Sequence, residues 1–380
     1  MDVSALERVI VGSVGGRDAA AWAEGRTVSL PRELLDRAGW RRFIDASGTL
    51  TLPADARLAI HEDVADLREQ AAFTDQPPAS ARLPVSYQYV PGWARAVIGA
   101  SIGRWNRSRS DRWAQFPTWP LDLSADFVAD MTGAAASVAS GARTPVLLTH
   151  DIDSPEGLER LVSEFLPLEE QAGARSTSYV VPRAWPIDYA LTDAVVARGH
   201  EIGVHGYDHS NRTAFADAAE RARRLDGATA FAARYGSTGY RAPSLLRTRA
   251  LLRDLGGRYR YDSSIPTSGG LFPVPNNGCA TARPFVVEGI AELPLSMPRD
   301  GSLRFLGHTP AEMSALWIAC ADAIARARGV VVLLTHCERR FSGNAPMLAA
   351  YRTLLEYFAE AADRFEFSSP LLVIDRAGLT

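Results

Sequence analysis

A chain of 380 residues that is 47% apolar can bury a sizeable core, enough for one barrel-sized domain of about 250 residues and a further module. Its 41 basic and 44 acidic side chains leave a formal charge of −3, which excludes a nucleic-acid footprint or a polybasic membrane patch spread over the whole protein and points to small partners. Neither a basic leader followed by an apolar run nor an uninterrupted apolar stretch of about 18 residues occurs, so a cytoplasmic protein with no transmembrane segment is expected.

From the N-terminus to Ser86, short apolar alternations at Leu6 to Val14, Arg26 to Leu35 and Leu50 to Ala59 are broken by Gly, Pro and Asp. Ile60 to Phe73 then has apolar residues at helical spacing. This predicts a small α+β accessory module over residues 1–80. Thr74-Asp-Gln-Pro-Pro-Ala-Ser80 reads as the linker, because two prolines in a polar setting cannot continue a helix.

Residues 81–143 form a connecting segment, expected to pack on the larger domain. Trp93, Trp105, Trp113 and Trp119 interleave there with Arg95, Arg104, Arg107, Arg109 and Arg112. Two readings stand: a rim that stacks on sugar rings or pairs with a phosphate, or an amphipathic strap over Gly92 to Arg107 that packs its aromatics on the barrel and leaves its arginines solvated.

From residue 144 the order becomes regular. Strands are predicted at 145–149, 176–181, 201–205, 238–242, 259–263, 285–295, 330–335 and 365–369. They alternate with helices at 155–172, 190–199, 212–235, 246–256, 309–328 and 345–363. None of these strands shows the period-two alternation of a half-exposed sheet. The fold class is therefore α/β, a distorted (β/α)7–8 barrel over 144–380 with an N-terminal α+β accessory region. The stretch Pro266 to Arg283, rich in Gly, Pro and Asn, reads as an irregular insertion.

Several of these strands end in ionisable residues, as barrel strands do where catalytic groups meet substrate. Pro145-Val-Leu-Leu-Thr149 runs into His150, Asp151 and Asp153, and Glu201-Ile-Gly-Val runs into His205 with His209 four positions on. Val330-Val-Val-Leu-Leu-Thr335 runs into His336. Arg241 and Asp262 end two strands between. A carboxylate and two imidazoles at i,i+4 can fill three corners of a tetrahedral zinc and leave the fourth for water. The three cysteines, Cys279, Cys320 and Cys337, are far apart and read as buried free thiols. Cys337 should face away from the site that His336 borders, while Glu338 and Arg339 are candidates to touch substrate.

Thr149-His-Asp-Ile-Asp153, His205-Gly-Tyr-Asp-His209, Arg241-Ala-Pro-Ser244, Tyr261-Asp-Ser-Ser264 and Leu333-Leu-Thr-His336 resemble, in order and spacing, the five signature motifs of the polysaccharide deacetylases, carbohydrate esterase family four. The resemblance covers roughly residues 144–370. It implies a distorted barrel, one divalent metal and hydrolysis of an N-acetyl amide. Zinc is the expected ion, with cobalt, nickel and manganese as alternatives. By the same resemblance Asp153, His205 and His209 are metal ligands and Asp151 the general base, with the two aspartates interchanged as the alternative. Arg241 then orients the base, Asp262 tunes His336, and His336 is the general acid that protonates the departing amine.

The sequence departs from the family pattern in three places. The aspartates of the first motif are separated by Ile152 and preceded by His150. Gly206 stands where Ser or Thr is common, and Ser244 where an aromatic often lines the acyl pocket. The expected substrate is an N-acetylated amino sugar or a glycosylated small molecule. A non-sugar amide hydrolase of the cyclic imide or ureide type is the second reading. A facial triad for Fe(II) is the third, but it gives Arg241, Asp262 and His336 no role. Oligomeric state is not legible.

Overall fold

The computed structural model describes residues 6–70, 72–74, 76–82, 92–108, 121–133, 143–268 and 278–379. The N-terminal module is a three-stranded sheet of β1 (Leu6–Ser13), β2 (Thr27–Pro31) and β3 (Thr49–Thr51) in the order β2-β1-β3, with helices Arg32–Arg37 and His61–Gln70 against it. Its alternating Val9 and Val11 face a core shared with Leu30, Trp40 and Leu50. Helix Ser124–Thr132 lies in the stretch 81–143 expected to pack on the larger domain, but it completes this core instead. Phe127, Val128 and Met131 are apolar on the side that the small sheet leaves uncovered.

The same helix fastens the module to the larger domain. Arg283 donates through both terminal nitrogens to Asp130 at 2.9 and 2.8 Å, and the Ala282 N–H donates to Asp126 at 2.9 Å. The linker is fastened too, with the Thr74 N–H donating to the Arg247 carbonyl at 2.7 Å.

The larger domain is built on β4 (Thr144–Ile152), β5 (Ser176–Val180), β6 (Glu201–Val204), β7 (Gly239–Tyr240), β8 (Tyr261–Asp262), β9 (Phe285–Val287), β10 (Ile290–Glu292), β11 (Val331–His336) and β12 (Phe365–Phe367). The order β11-β4-β5-β6-β7-β8-β10-β9 is parallel except for β9, which pairs antiparallel with β10. The single strand expected at 285–295 is thus a tight hairpin turned at Glu288 and Gly289, both at positive φ. The curled sheet is drawn together where the Met297 N–H donates to the Val332 carbonyl at 3.1 Å. Ser296 Oγ bridges the same seam, donating to the Val330 carbonyl at 2.6 Å and accepting from the Val332 N–H at 2.8 Å.

Parallel strands buried on both faces explain the continuous apolar runs. One face fills the interior with Leu147, Tyr179, Tyr261, Leu293, Val332 and Leu334. The other packs Val146, Leu148 and Leu333 under the helices, including Pro310–Arg326 and Ala345–Glu360. The helix after β4 is continuous from Pro155 to Gln171 but widens by one residue per turn over Leu161–Phe165, where Pro167 has no N–H to offer the Ser163 carbonyl. Helix Gly92–Ser108 forms as the strap reading expected, yet Trp105 is exposed rather than packed inward.

Candidate active site

Strand alternation decides which residues at the end of β4 reach the interior. Thr149 and Asp151 share the inner face with Tyr179, which lies opposite Asp151 in the β4–β5 register. His150 points outward. Its Nε2 lies 2.7 Å from Glu169 Oε1 and its Nδ1 2.9 Å from Thr335 Oγ1, and it packs edge-on against Phe165 and Tyr351. It supports the strand end from behind.

Arg241, fully buried, spans the floor of the site. One terminal nitrogen donates to Asp151 Oδ1 at 3.0 Å and to Thr149 Oγ1 at 2.9 Å, while Nε and the other terminal nitrogen hold the Ser263 carbonyl and hydroxyl at 2.9 and 3.0 Å. Its guanidinium lies 4.1 Å from the centre of the Tyr179 ring. Burial pushes the Asp151 pKa up, but the charges of His205, Arg241 and His336 outweigh it and hold the carboxylate below its usual range.

His205 Nδ1 lies 3.0 Å from the Arg241 carbonyl oxygen. A carbonyl only accepts, so Nδ1 carries the proton and Nε2 presents its lone pair inward. Burial keeps this imidazole below its ordinary pKa, against the pull of Asp151 and Asp153. His209 reaches the same point from the loop after β6. Gly206, at φ 67°, makes the turn; a Cβ there would come within 2.5 Å of the Pro243 ring. Asp208 ties the loop down by accepting from the Ser210 N–H at 3.0 Å and from Arg224 at 3.0 Å.

One ligand atom each from Asp153, His205 and His209 lies within 4.8 Å of the other two. Asp153 Oδ1 is 3.5 Å from His205 Nε2 and 3.2 Å from His209 Nε2, and although buried it completes no well-formed hydrogen bond. Burial lowers the His209 pKa, but Asp153 outweighs this and raises it overall. The donors fit a divalent cation: two imidazole nitrogens and a carboxylate oxygen converge on a point where proton sharing alone leaves a buried oxygen unsatisfied.

His336 ends β11 in register with Asp151. The carboxylate beside it is Asp300, 2.7 Å from its Nδ1, and not Asp262 as expected from the motif. Asp262 alternates with the inward Tyr261 and lies on the outer face of the sheet. There it accepts from the Ser264 hydroxyl at 2.7 Å and pairs with Glu292 across the β8–β10 register. Burial raises both of those carboxyls. Asp300 opens the helix Asp300–Phe305 directly after the irregular stretch Ser296–Arg299, which carries no strand period to mark it. Burial lowers the His336 pKa, but Asp300, with Asp153 and Asp151, lifts it to about 9.

Glu338 is buried beside the site, accepting from Ser154 Oγ at 2.8 Å, and Arg339 is exposed. Burial and Asp153 push the Glu338 pKa up to about 7. Ser244 is half-buried at φ 53°, a strained position directly after Pro243. The three cysteines are buried and free.

The sequence profile of the polysaccharide deacetylase family matches residues 139–258, which hold Asp151, Asp153, His205, His209 and Arg241. The likeness to the polysaccharide deacetylase superfamily thus rests on residues 139–258, about a third of the chain. This superfamily is one of hydrolytic deacetylases, and its fold is a (β/α) barrel. A solved structure from Mycobacterium smegmatis described as a polysaccharide deacetylase is 21% identical with a TM-score of 0.53, covering 64% of this chain and 94% of its own. One from Pseudomonas aeruginosa PAO1, described likewise, is 15% identical with a TM-score of 0.50, over 68% of this chain and 97% of its own. The Puue allantoinase is 15% identical with a TM-score of 0.52, over 66% of this chain and 95% of its own. At these identities the likeness is one of fold. No curated protein matches the chain.

Proposed function

We propose that this polysaccharide deacetylase relative is a metal-dependent amide hydrolase that removes an N-acetyl group from an amino sugar or a glycosylated small molecule. The observation that carries the reading is the tautomer of His205. With Nδ1 committed to the Arg241 carbonyl, Nε2 can only accept, and it faces the unsatisfied Asp153 Oδ1 beside His209 Nε2. Asp153, His205 and His209 would hold the cation, and this donor set suits zinc, with cobalt, nickel and manganese also accepted. When bound, a divalent ion supplies a polarised acyl carbonyl and an acidified water.

The remaining work falls to the chain's own groups. Asp151, kept ionised and aimed by Arg241, takes the proton of the attacking water at its free oxygen. His336, held by Asp300 with the proton on Nδ1 facing that carboxylate, carries a second proton on Nε2 and delivers it to the departing amine. An amine is too poor a leaving group without that proton. The two groups stand on neighbouring strands in direct register, so one reacting centre lies within reach of both.

The test is acetate release from a panel of N-acetylated amino sugars, nucleotide sugars and aminoglycoside-like compounds. Release that is lost on chelation and restored by zinc is expected. Ammonia or a ring-opened acid from cyclic ureides, with no acetate from any sugar, would replace this reading with that of a non-sugar amide hydrolase.

A further inference from the structure

An ordinary surface helix buries its large apolar residues and shows polar ones to water, and the described side chains of helix Gly92–Ser108 depart from that pattern. Here the small Gly99 is buried, so close to Phe305 that a Cβ would meet its ring at 2.7 Å. Among the described side chains of this helix, Val97, Ile98, Ile102 and Trp105 face outward, being 59%, 55%, 39% and 56% exposed. At 3.6 residues per turn these four fall within an arc of about 140°. They form one largely apolar face that also holds the exposed Ser101 and is flanked by the exposed Arg104.

Charge says what covers it. The 17 residues of this helix include Arg95, Arg104 and Arg107 and no Asp or Glu, within a chain whose net charge is −3. A second copy docked across a two-fold axis would bring two such acid-free, arginine-bearing helices together, Arg104 beside each apolar face, with no carboxylate in either helix to pair them. A helix of this length with three arginines does not cross a bilayer, and no described helix is long and apolar enough to do so. Apolar residues including a tryptophan on one face, with arginine beside them, are instead the make-up of a helix that lies in a lipid–water interface.

We propose that this helix docks the protein on an anionic lipid bilayer. Val97, Ile98, Ile102 and Trp105 enter the boundary between headgroups and acyl chains, and Arg104 pairs with lipid phosphate. The surface stands whatever reaction the neighbouring site performs. Its position bears on substrate: Phe305, against which the helix packs, lies 6.3 Å from the Phe341 ring, and Phe341 lies 4.8 Å from the His336 ring. Two aromatic rings therefore separate the docking helix from the general acid. Resting on the deacetylase reading, this makes a lipid-carried acylated sugar the substrate class.

The experiment is flotation of the full-length chain with vesicles of phosphatidylcholine alone and of phosphatidylcholine mixed with phosphatidylglycerol, which measures no activity and so fails independently of the proposed reaction. Binding is expected to the anionic vesicles and to weaken with salt. The double variant Ile98→Glu/Ile102→Glu should bind at least about tenfold more weakly, the loss expected when buried apolar side chains are exchanged for charge. Arg104→Glu should weaken binding at low salt and keep the fold, read as an unchanged circular dichroism spectrum and melting midpoint. Wild-type protein that stays with neither vesicle, or a double variant that binds as well as wild type, overturns the proposal. So does wild-type protein that ignores vesicles and forms a dimer which Ile98→Glu/Ile102→Glu dissolves.

Discussion

His336 Nδ1 lies 2.7 Å from Asp300 Oδ1, while Asp300 Oδ2 accepts from the His336 backbone N–H and from Ser342 Oγ, each at 2.7 Å. One buried carboxylate therefore fixes the position, the tautomer and the charge of the imidazole. Because the general acid must be protonated, activity should fall with rising pH on the alkaline side of the ordinary histidine range, since Asp300 raises the His336 pKa. Asp300→Asn should move this alkaline limb toward the ordinary histidine range near 6.5 and lower kcat about 100-fold at neutral pH. Asp262→Asn should leave the limb where it is. A pH–rate profile of the three proteins decides between the two carboxylates.

The same group links stability to pH. Its folded pKa is raised above the unfolded value, so its contribution is fully present below about 6.5 and is lost as pH rises through about 9. Asp300→Asn should flatten this part of the stability curve, measured as urea midpoint against pH. A mutant curve parallel to wild type would mean that His336 is not charged in the folded protein.

Arg241 makes four hydrogen bonds in three directions from a fully buried position. Lysine cannot reproduce the planar fork. Arg241→Lys should lower kcat by about 100-fold, through misorientation of Asp151, and destabilise the fold by about 3 kcal/mol because the buried partners lose their donors. Activity near wild type would show that Asp151 is held without it.

Gly206 is the turn on which the two histidines depend. A Cβ at φ 67° strains the backbone and meets the Pro243 ring at 2.5 Å. Gly206→Ala should cost about 1–2 kcal/mol in stability from the left-handed backbone alone, and metal affinity should fall with it as His209 moves. Thermal melts with and without zinc measure both.

The barrel was legible because its strands are buried on both faces and read as unbroken apolar runs bounded by charge. β4 and β11 are the clearest cases, and Asp151 and His336 could be placed from their ends alone. Asp262 was misassigned because motif spacing fixes a residue's position along a strand but not its face. One step of alternation puts Tyr261 inside and Asp262 outside, facing Glu292. Asp300 was hidden because the closing seam at Ser296 and Met297 is made by an irregular stretch, with no strand period to reveal it. In the N-terminal module, helix Ser124–Thr132 could not be assigned to its core from sequence, since its partners Val9 and Trp40 lie far away along the chain.

The most direct test of the metal-dependent reading is a zinc titration of metal-stripped wild type and His209→Ala, with acetate release followed on the best substrate of the panel. Wild type should bind one equivalent, more tightly as pH rises because zinc displaces the proton that the nearby Asp153 favours on His209, and acetate release should return in step with occupancy. His209→Ala should lose most of both. Full acetate release from metal-free wild type, or His209→Ala binding zinc as tightly as wild type, would contradict the account.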